Sequence, residues 1–106
     1  MSLETNDYYT VAFQIISNVG TAKSLVMEAL YAAKEGNFDA AEEKLAESKH
    51  FFVEGHRMHA SLIQREANGE KLEFSLILMH AEDQIMSVDT ITMLVIEMIE
   101  IYRRSI

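Results

Sequence analysis

The chain is predicted to be all-α, an antiparallel three-helix bundle, on three observations. Proline is absent, and only four glycines occur in 106 residues, so the punctuation that strands and tight turns require is nearly missing. Apolar residues recur at three- and four-residue spacing over long stretches. Two of the glycines stand in hydrophilic junctions, Lys34-Glu35-Gly36-Asn37 and Ala67-Asn68-Gly69-Glu70-Lys71, where a left-handed glycine closes a helix. These junctions divide residues 1–106 into three helices of a single domain. Met1-Ser2-Leu3 is expected to be partly an expression remnant and carries no weight in the reading.

The first helix is expected over about residues 7–34. Its buried face would be Ile16, Val19, Ala22 or Lys23, Val26, Ala29, Leu30 and Ala33. Gly20, in the poor helix-forming run Asn18-Val19-Gly20-Thr21, marks a bend or a fault there. The second helix is expected over about 38–67, with Asn37 as N-cap and Asp39, Glu42 and Glu43 favouring the positive end of its dipole. Its seam reads Phe38, Leu45, Phe52, His59 and Glu66. The third is expected over about 75–104, roughly 45 Å long at the standard rise, and closes on Arg103-Arg104, cations suited to a helix C-terminus. Short connections between long helices imply antiparallel neighbours.

The third helix carries more apolar surface than one bundle can bury. One heptad stripe, Ile77, Ala81, Gln84, Val88, Ile91, Val95, Met98 and Tyr102, suffices to pack it on the other two helices. A second stripe, Leu76, Met79, Asp83, Met86, Thr90 and Met93, lies roughly 100° around the helix. A monomer would expose it, so a homo-oligomer is expected. Asp83 stands in that stripe as a polar residue that costs stability but fixes register and subunit number. Around a symmetry axis its carboxylates converge and need a cation or shared protons. His80 falls between the stripes, at the edge of an interface, where one imidazole nitrogen can be held and the other left open.

Composition narrows the function classes. The formal net charge is −8, with no clustered Lys and Arg, which argues against nucleic acid. Cysteine is absent, removing disulfides, thiolate metal sites and a cysteine nucleophile. No apolar run approaches the roughly 20 residues of a membrane span, so no membrane insertion is expected. Glu47 with His50, and His56 with His59, have metal-ligand spacing but lack the further inward carboxylates of a di-metal bundle, and read as solvated or packed.

The run His80-Ala81-Glu82-Asp83-Gln84-Ile85-Met86 resembles the lactose/cellobiose-type enzyme IIA components of the bacterial sugar phosphotransferase system. The likeness extends to Gly20-Thr21-Ala22-Lys23-Ser24, Glu28-Ala29-Leu30, Ala33, Gly36-Asn37-Phe38, His56, Arg65-Glu66-Ala67-Asn68-Gly69 and Ile99-Glu100-Ile101-Tyr102. The resemblance implies a cytoplasmic bacterial phosphoryl carrier with a phosphohistidine intermediate, assembled as a homotrimer through the third helix. His80 would accept phosphate from the histidine phosphocarrier protein and pass it to a cysteine of an enzyme IIB. Asp83 would face the threefold axis and bind a metal ion, magnesium, and no organic cofactor is implied. Glu82 and Gln84 would support the site. The family usually has glutamine in place of Glu82, histidine in place of Gln84 and glutamine-threonine in place of His59-Ala60. The first-turn amides of the third helix are expected to help orient the phosphate. From a different class, the competing reading is a noncatalytic oligomeric helical interaction or regulatory module.

Overall fold

A computed structural model describes residues 3–105, with side chains from residue 8; Met1 and Ser2 lie outside the described residues. Three helices follow in order: α1 (Leu3–Lys34), α2 (Phe38–Ala67) and α3 (Leu76–Arg104). α1 begins at Leu3, earlier than the expected residue 7, and runs unbroken through Gly20. The local propensity of the Asn18–Thr21 run is overridden by packing: Val19, Ala22 and Val26 on either side of Gly20 are fully buried.

Both junctions form as the glycines require. Gly36 and Gly69 have φ of 80° and 93°, conformations that cost an L side chain about 1–2 kcal/mol and cost glycine little. Each chain reversal is closed by backbone bonds, from Asn37 N to the Ala32 carbonyl at 2.9 Å and from Glu70 N to the Arg65 carbonyl at 3.1 Å. Asn37 caps α2 by accepting from the Ala40 amide at 3.1 Å. Ser75 caps α3 in the same way, accepting from the Leu78 amide at 3.1 Å.

The three helices do not share contact equally. α2 lies close along α1, α3 packs chiefly on α1, and α2 and α3 barely meet. The close approach comes from one heptad line on α2, Ala41, Ser48, Gly55 and Leu62, all buried. Three of the four side chains are small, and the Ser48 hydroxyl is satisfied by donating to the Ala22 carbonyl at 2.9 Å. At Gly55 a β-carbon would stand 2.7 Å from Cγ2 of Val19, so only hydrogen fits. The expected seam of α2 is therefore displaced: Phe38, Leu45, Phe52 and His59 are only half-buried beside the α3 side, and Glu66 is exposed.

On α3 the core positions are Ala81, Ile85, Val88, Val95 and Ile99. A strict heptad spacing selects Gln84, Met98 and Tyr102 instead, but Gln84 is half-buried and the other two are exposed. A straight helix at 3.6 residues per turn drifts about 20° per heptad from a 3.5 repeat, which moves the core to Ile85 and Ile99. In α1 the choice between Ala22 and Lys23 falls to Ala22, and Ile15 takes the core place expected for Ile16. Two buried clusters result, one around Ile15, Val19, Leu62, Ala81, Ile85 and Val88, the other around Val26, Ala29, Ala41, Val95 and Ile99. The molecule is a rod of 57 × 19 × 19 Å.

Tyr8 ties the start of this rod to the α2–α3 connection, its hydroxyl donating to the Glu73 carbonyl at 2.5 Å. Burial is the main cause that pushes its phenol above the ordinary range. The folded state thus holds the phenolic proton more tightly than the unfolded chain. This contribution is complete below the ordinary tyrosine range and is lost as pH rises through it and beyond. Urea denaturation should show stability falling in that alkaline window more steeply for the wild type than for Tyr8→Phe. Gly55→Ala should destabilise by about 1–3 kcal/mol through overpacking. Gly20→Ala, where a β-carbon meets nothing within 4 Å, should be neutral or stabilise by up to about 1 kcal/mol in the same assay.

Candidate functional site

Ser75 starts α3 with extended backbone, so the first turns of the helix carry the candidate residues at the exposed end of the α1–α3 packing. Leu76 is 79% exposed and Met79 46%, and with His80 and Asp83 they line a shallow surface hollow. His80 is exposed, and among the described residues its ring makes no hydrogen bond or ion pair. Both ring nitrogens are therefore available to a reactant. Gln84 follows one turn later on the same side, half-buried, with its amide within the reach of an i, i+4 neighbour.

Two of the amides at the start of α3 are already engaged. Leu78 N is already bonded to the Ser75 side chain and Met79 N to the Ser75 carbonyl at 3.0 Å. His80 is the fifth residue of the helix, where the dipole effect has faded.

Glu82 is not brought to His80. About 200° around the helix, it reaches across to α2 and its Oε1 lies 2.6 Å from Nε2 of His59. The expected support of the histidine by Glu82 thus does not form within one chain; its carboxylate is engaged with a ring that is only 13% exposed. Both residues depart from the pattern the resemblance implies, and nothing in their spacing along the chain pairs them. The signal was the seam itself: His59 lies on the α2 edge beside α3, and Glu82 lies one residue past the core position Ala81.

Asp83 is exposed and makes no hydrogen bond or ion pair among the described residues. It stands within an uncovered stripe, Leu76, Met79, Met86 (64% exposed), Thr90 and Met93 (62% exposed). Its oxygen donors suit a hard cation such as magnesium, but one chain supplies a single carboxylate there. Among the described residues no group of three or more His, Cys, Asp or Glu is arranged to hold a metal. No helix among the described residues is long and apolar enough to cross a membrane.

Residues 10–103 match the family described as PTS system, Lactose/Cellobiose specific IIA subunit. The chain belongs to that family. It is 39% identical over 93 residues to the oligo-beta-mannoside-specific EIIA component of Bacillus subtilis, covering 88% of this chain and 84% of the relative. To the lactose-specific EIIA component of Streptococcus mutans it is 37% identical, covering 89% and 90% of the two chains. The crystal structure of the PTS cellobiose-specific enzyme IIA from Bacillus anthracis superposes with a TM-score of 0.90 at 38% identity, over 98% of this chain and 92% of that one. A IIA(chitobiose) chain from the Escherichia coli phosphotransferase system, solved in solution as its complex with HPr, superposes with a TM-score of 0.80 at 33% identity, over 92% and 94%. The three-helix fold is therefore that of a phosphotransferase-system IIA subunit.

Proposed function

We propose that this IIA subunit is a cytoplasmic phosphoryl carrier in which His80 takes a phosphoryl group from the phosphorylated histidine phosphocarrier protein and gives it to a cysteine of a sugar-specific enzyme IIB of the lactose/cellobiose/chitobiose type. The observation that carries this reading is the exposed ring of His80, without a partner among the described residues, in a hollow on α3, in a chain of this family. The relative held in complex with HPr supports the donor.

Transfer to His80 requires an unprotonated ring nitrogen aligned with phosphorus; as its lone pair forms the new N–P bond, the N–P bond of the donor breaks and the donor ring keeps the electron pair. Alignment and donors to the phosphoryl oxygens matter more here than acid–base chemistry. Gln84 supplies an amide donor one turn away. In the second transfer the cysteine thiolate attacks the same phosphorus and the His80 ring leaves.

The oligomer in this reading is a homotrimer with the α3 stripe on its axis. Covering Leu76, Met79, Met86 and Met93 contributes roughly 1–2 kcal/mol for each side chain taken out of water. Three Asp83 carboxylates at the axis repel unless a cation is shared, and magnesium, which takes oxygen ligands, is the ion assigned to them.

Incubating the protein with phosphorylated phosphocarrier protein should give one acid-labile label per chain. The label should pass to an enzyme IIB and be absent from His80→Ala; a folded wild type that takes no label, or a labelled His80→Ala, rejects the reading. Light scattering should give about three times the 12.1 kDa chain mass. Asp83→Leu should retain the trimer and raise its stability by about 1–4 kcal/mol in the presence of a chelator, read from concentration-dependent melting. Dissociation of that variant would show instead that the carboxylates hold the trimer together through their ion.

A further inference from the structure

Around α3, at about 100° per residue, the faces can be laid out from the core outwards. Ala81, Val88 and Val95 point into the bundle, and Met79, Asp83 and Met86 lie roughly opposite. Two edges remain. Glu82, Asp89 and Ile96 stand on the edge beside α2, and His80, Leu94 and Met98 stand on the other.

The α2 edge is open because α2 and α3 barely meet. It forms a groove of about 560 Å³ whose floor includes Leu45, Phe52, Ile96 and Ile99. A smaller hollow of about 300 Å³ continues it past His56, His59 and Asp89 towards the His80 end of the helix. The opposite edge is apolar and uncovered, Leu94 being 54% and Met98 42% exposed. In a cyclic assembly that puts the Asp83 face on its axis, one edge of each subunit meets the other edge of the next. Rotation about the axis preserves height, so residues of the same helical turn meet. His80 of one subunit then stands against the turn of its neighbour that carries Glu82, and with it His59. The groove receives the Leu94–Met98 edge of a second copy of this chain.

We propose that His59 is a positioning residue for the phosphoryl group of the adjacent subunit, an inference that rests on the phosphoryl-carrier trimer above. The 2.6 Å contact between His59 Nε2 and Glu82 Oε1 fixes the orientation of a ring that is only 13% exposed. With Nε2 held on Glu82, an N–H on Nδ1 is the group donated to an oxygen of the phosphoryl group on the neighbouring His80. Glu82, whose charge alone would oppose a phosphoryl group, becomes the support of a donor instead. The bonds made and broken in the transfer are unchanged by this.

Mixed trimers separate action on the neighbour from action within the chain. His59→Leu homotrimers should be labelled by the phosphorylated phosphocarrier protein about tenfold more slowly than wild type, the loss of one charge-assisted hydrogen bond. His59→Gln, which keeps a side-chain donor, should recover part of that rate. When differently tagged His59→Leu chains are refolded with excess His80→Ala chains, the neighbours supply His59 and the label on each His59→Leu chain should form at close to the wild-type rate. A rate that stays low in mixed trimers, or His59→Leu homotrimers as fast as wild type, would overturn the proposal. Should His59→Leu fail to fold, Glu82→Gln in the same mixing scheme gives the same two outcomes. Failure of the carrier reading looks different: wild type itself takes no label or runs as a monomer, and the positioning role falls with it.

Discussion

The close packing of α2 on α1 is the constraint from which the rest of the molecule follows. Ala41, Ser48, Gly55 and Leu62 bring α2 so near that Gly55 has no room for a β-carbon against Val19. With α2 seated there, α1 buries residues on both its sides, and α3 is left to pack mainly on α1. A third helix held along one partner can cover only one stripe of its own apolar surface. The remaining stripe, with its leucine and methionine residues 46–79% exposed, is therefore a consequence of how the first two helices meet. Isolated apolar residues on a surface are ordinary, whereas a continuous line of them along one helix marks a place for another chain.

Much of this was legible in the sequence. The helix count, the glycine closures, the Asn37 cap and the uncovered stripe of α3 all rest on local rules: residue spacing, left-handed glycine and side-chain capping. What was not legible depends on tertiary packing. The line Ala41-Ser48-Gly55-Leu62 is weakly apolar, and hydrophobic spacing favours Phe38, Leu45 and Phe52, which are larger but sit at the side. Small residues mark close helix approach only once a partner is known. On α3, a 3.5-residue repeat selects Gln84, whereas the 3.6-residue turn of the helix puts Ile85 in the core. Gly20 does not break α1: its neighbours Val19 and Ala22 are buried against the bundle, and that packing holds the helix through it.

The candidate site shows the same division. His80 and Asp83 are placed by their position along one helix, and the structure leaves both exposed and unpartnered among the described residues. Glu82 could not be placed that way, because its partner lies on another helix and is set by the lateral position of α2. Proximity in sequence to His80 suggested a shared role, yet two residues apart on a helix are on nearly opposite faces. The pair His59–Glu82 also answers an electrostatic difficulty. A carboxylate next to a phosphorylated histidine in sequence would repel it, whereas one engaged with an imidazole 2.6 Å away is drawn to the far side of the helix.

That pairing bears on how this chain differs from the pattern it resembles. The resemblance implies glutamine at both positions that carry His59 and Glu82; two amides can hydrogen-bond each other, and here an imidazole and a carboxylate do so. Neither change alone would be neutral in this setting. Glu82 without His59 would leave a carboxylate beside a half-closed groove, and His59 without Glu82 would leave a mostly buried ring without an acceptor. Taken together they make a contact between α2 and α3. Where the resemblance implies histidine, Gln84 puts an uncharged amide on the His80 side of α3. In the proposed ring of subunits, the edge that carries His59 faces the edge that carries Gln84, so an imidazole would be offered to a phosphoryl group across the subunit boundary.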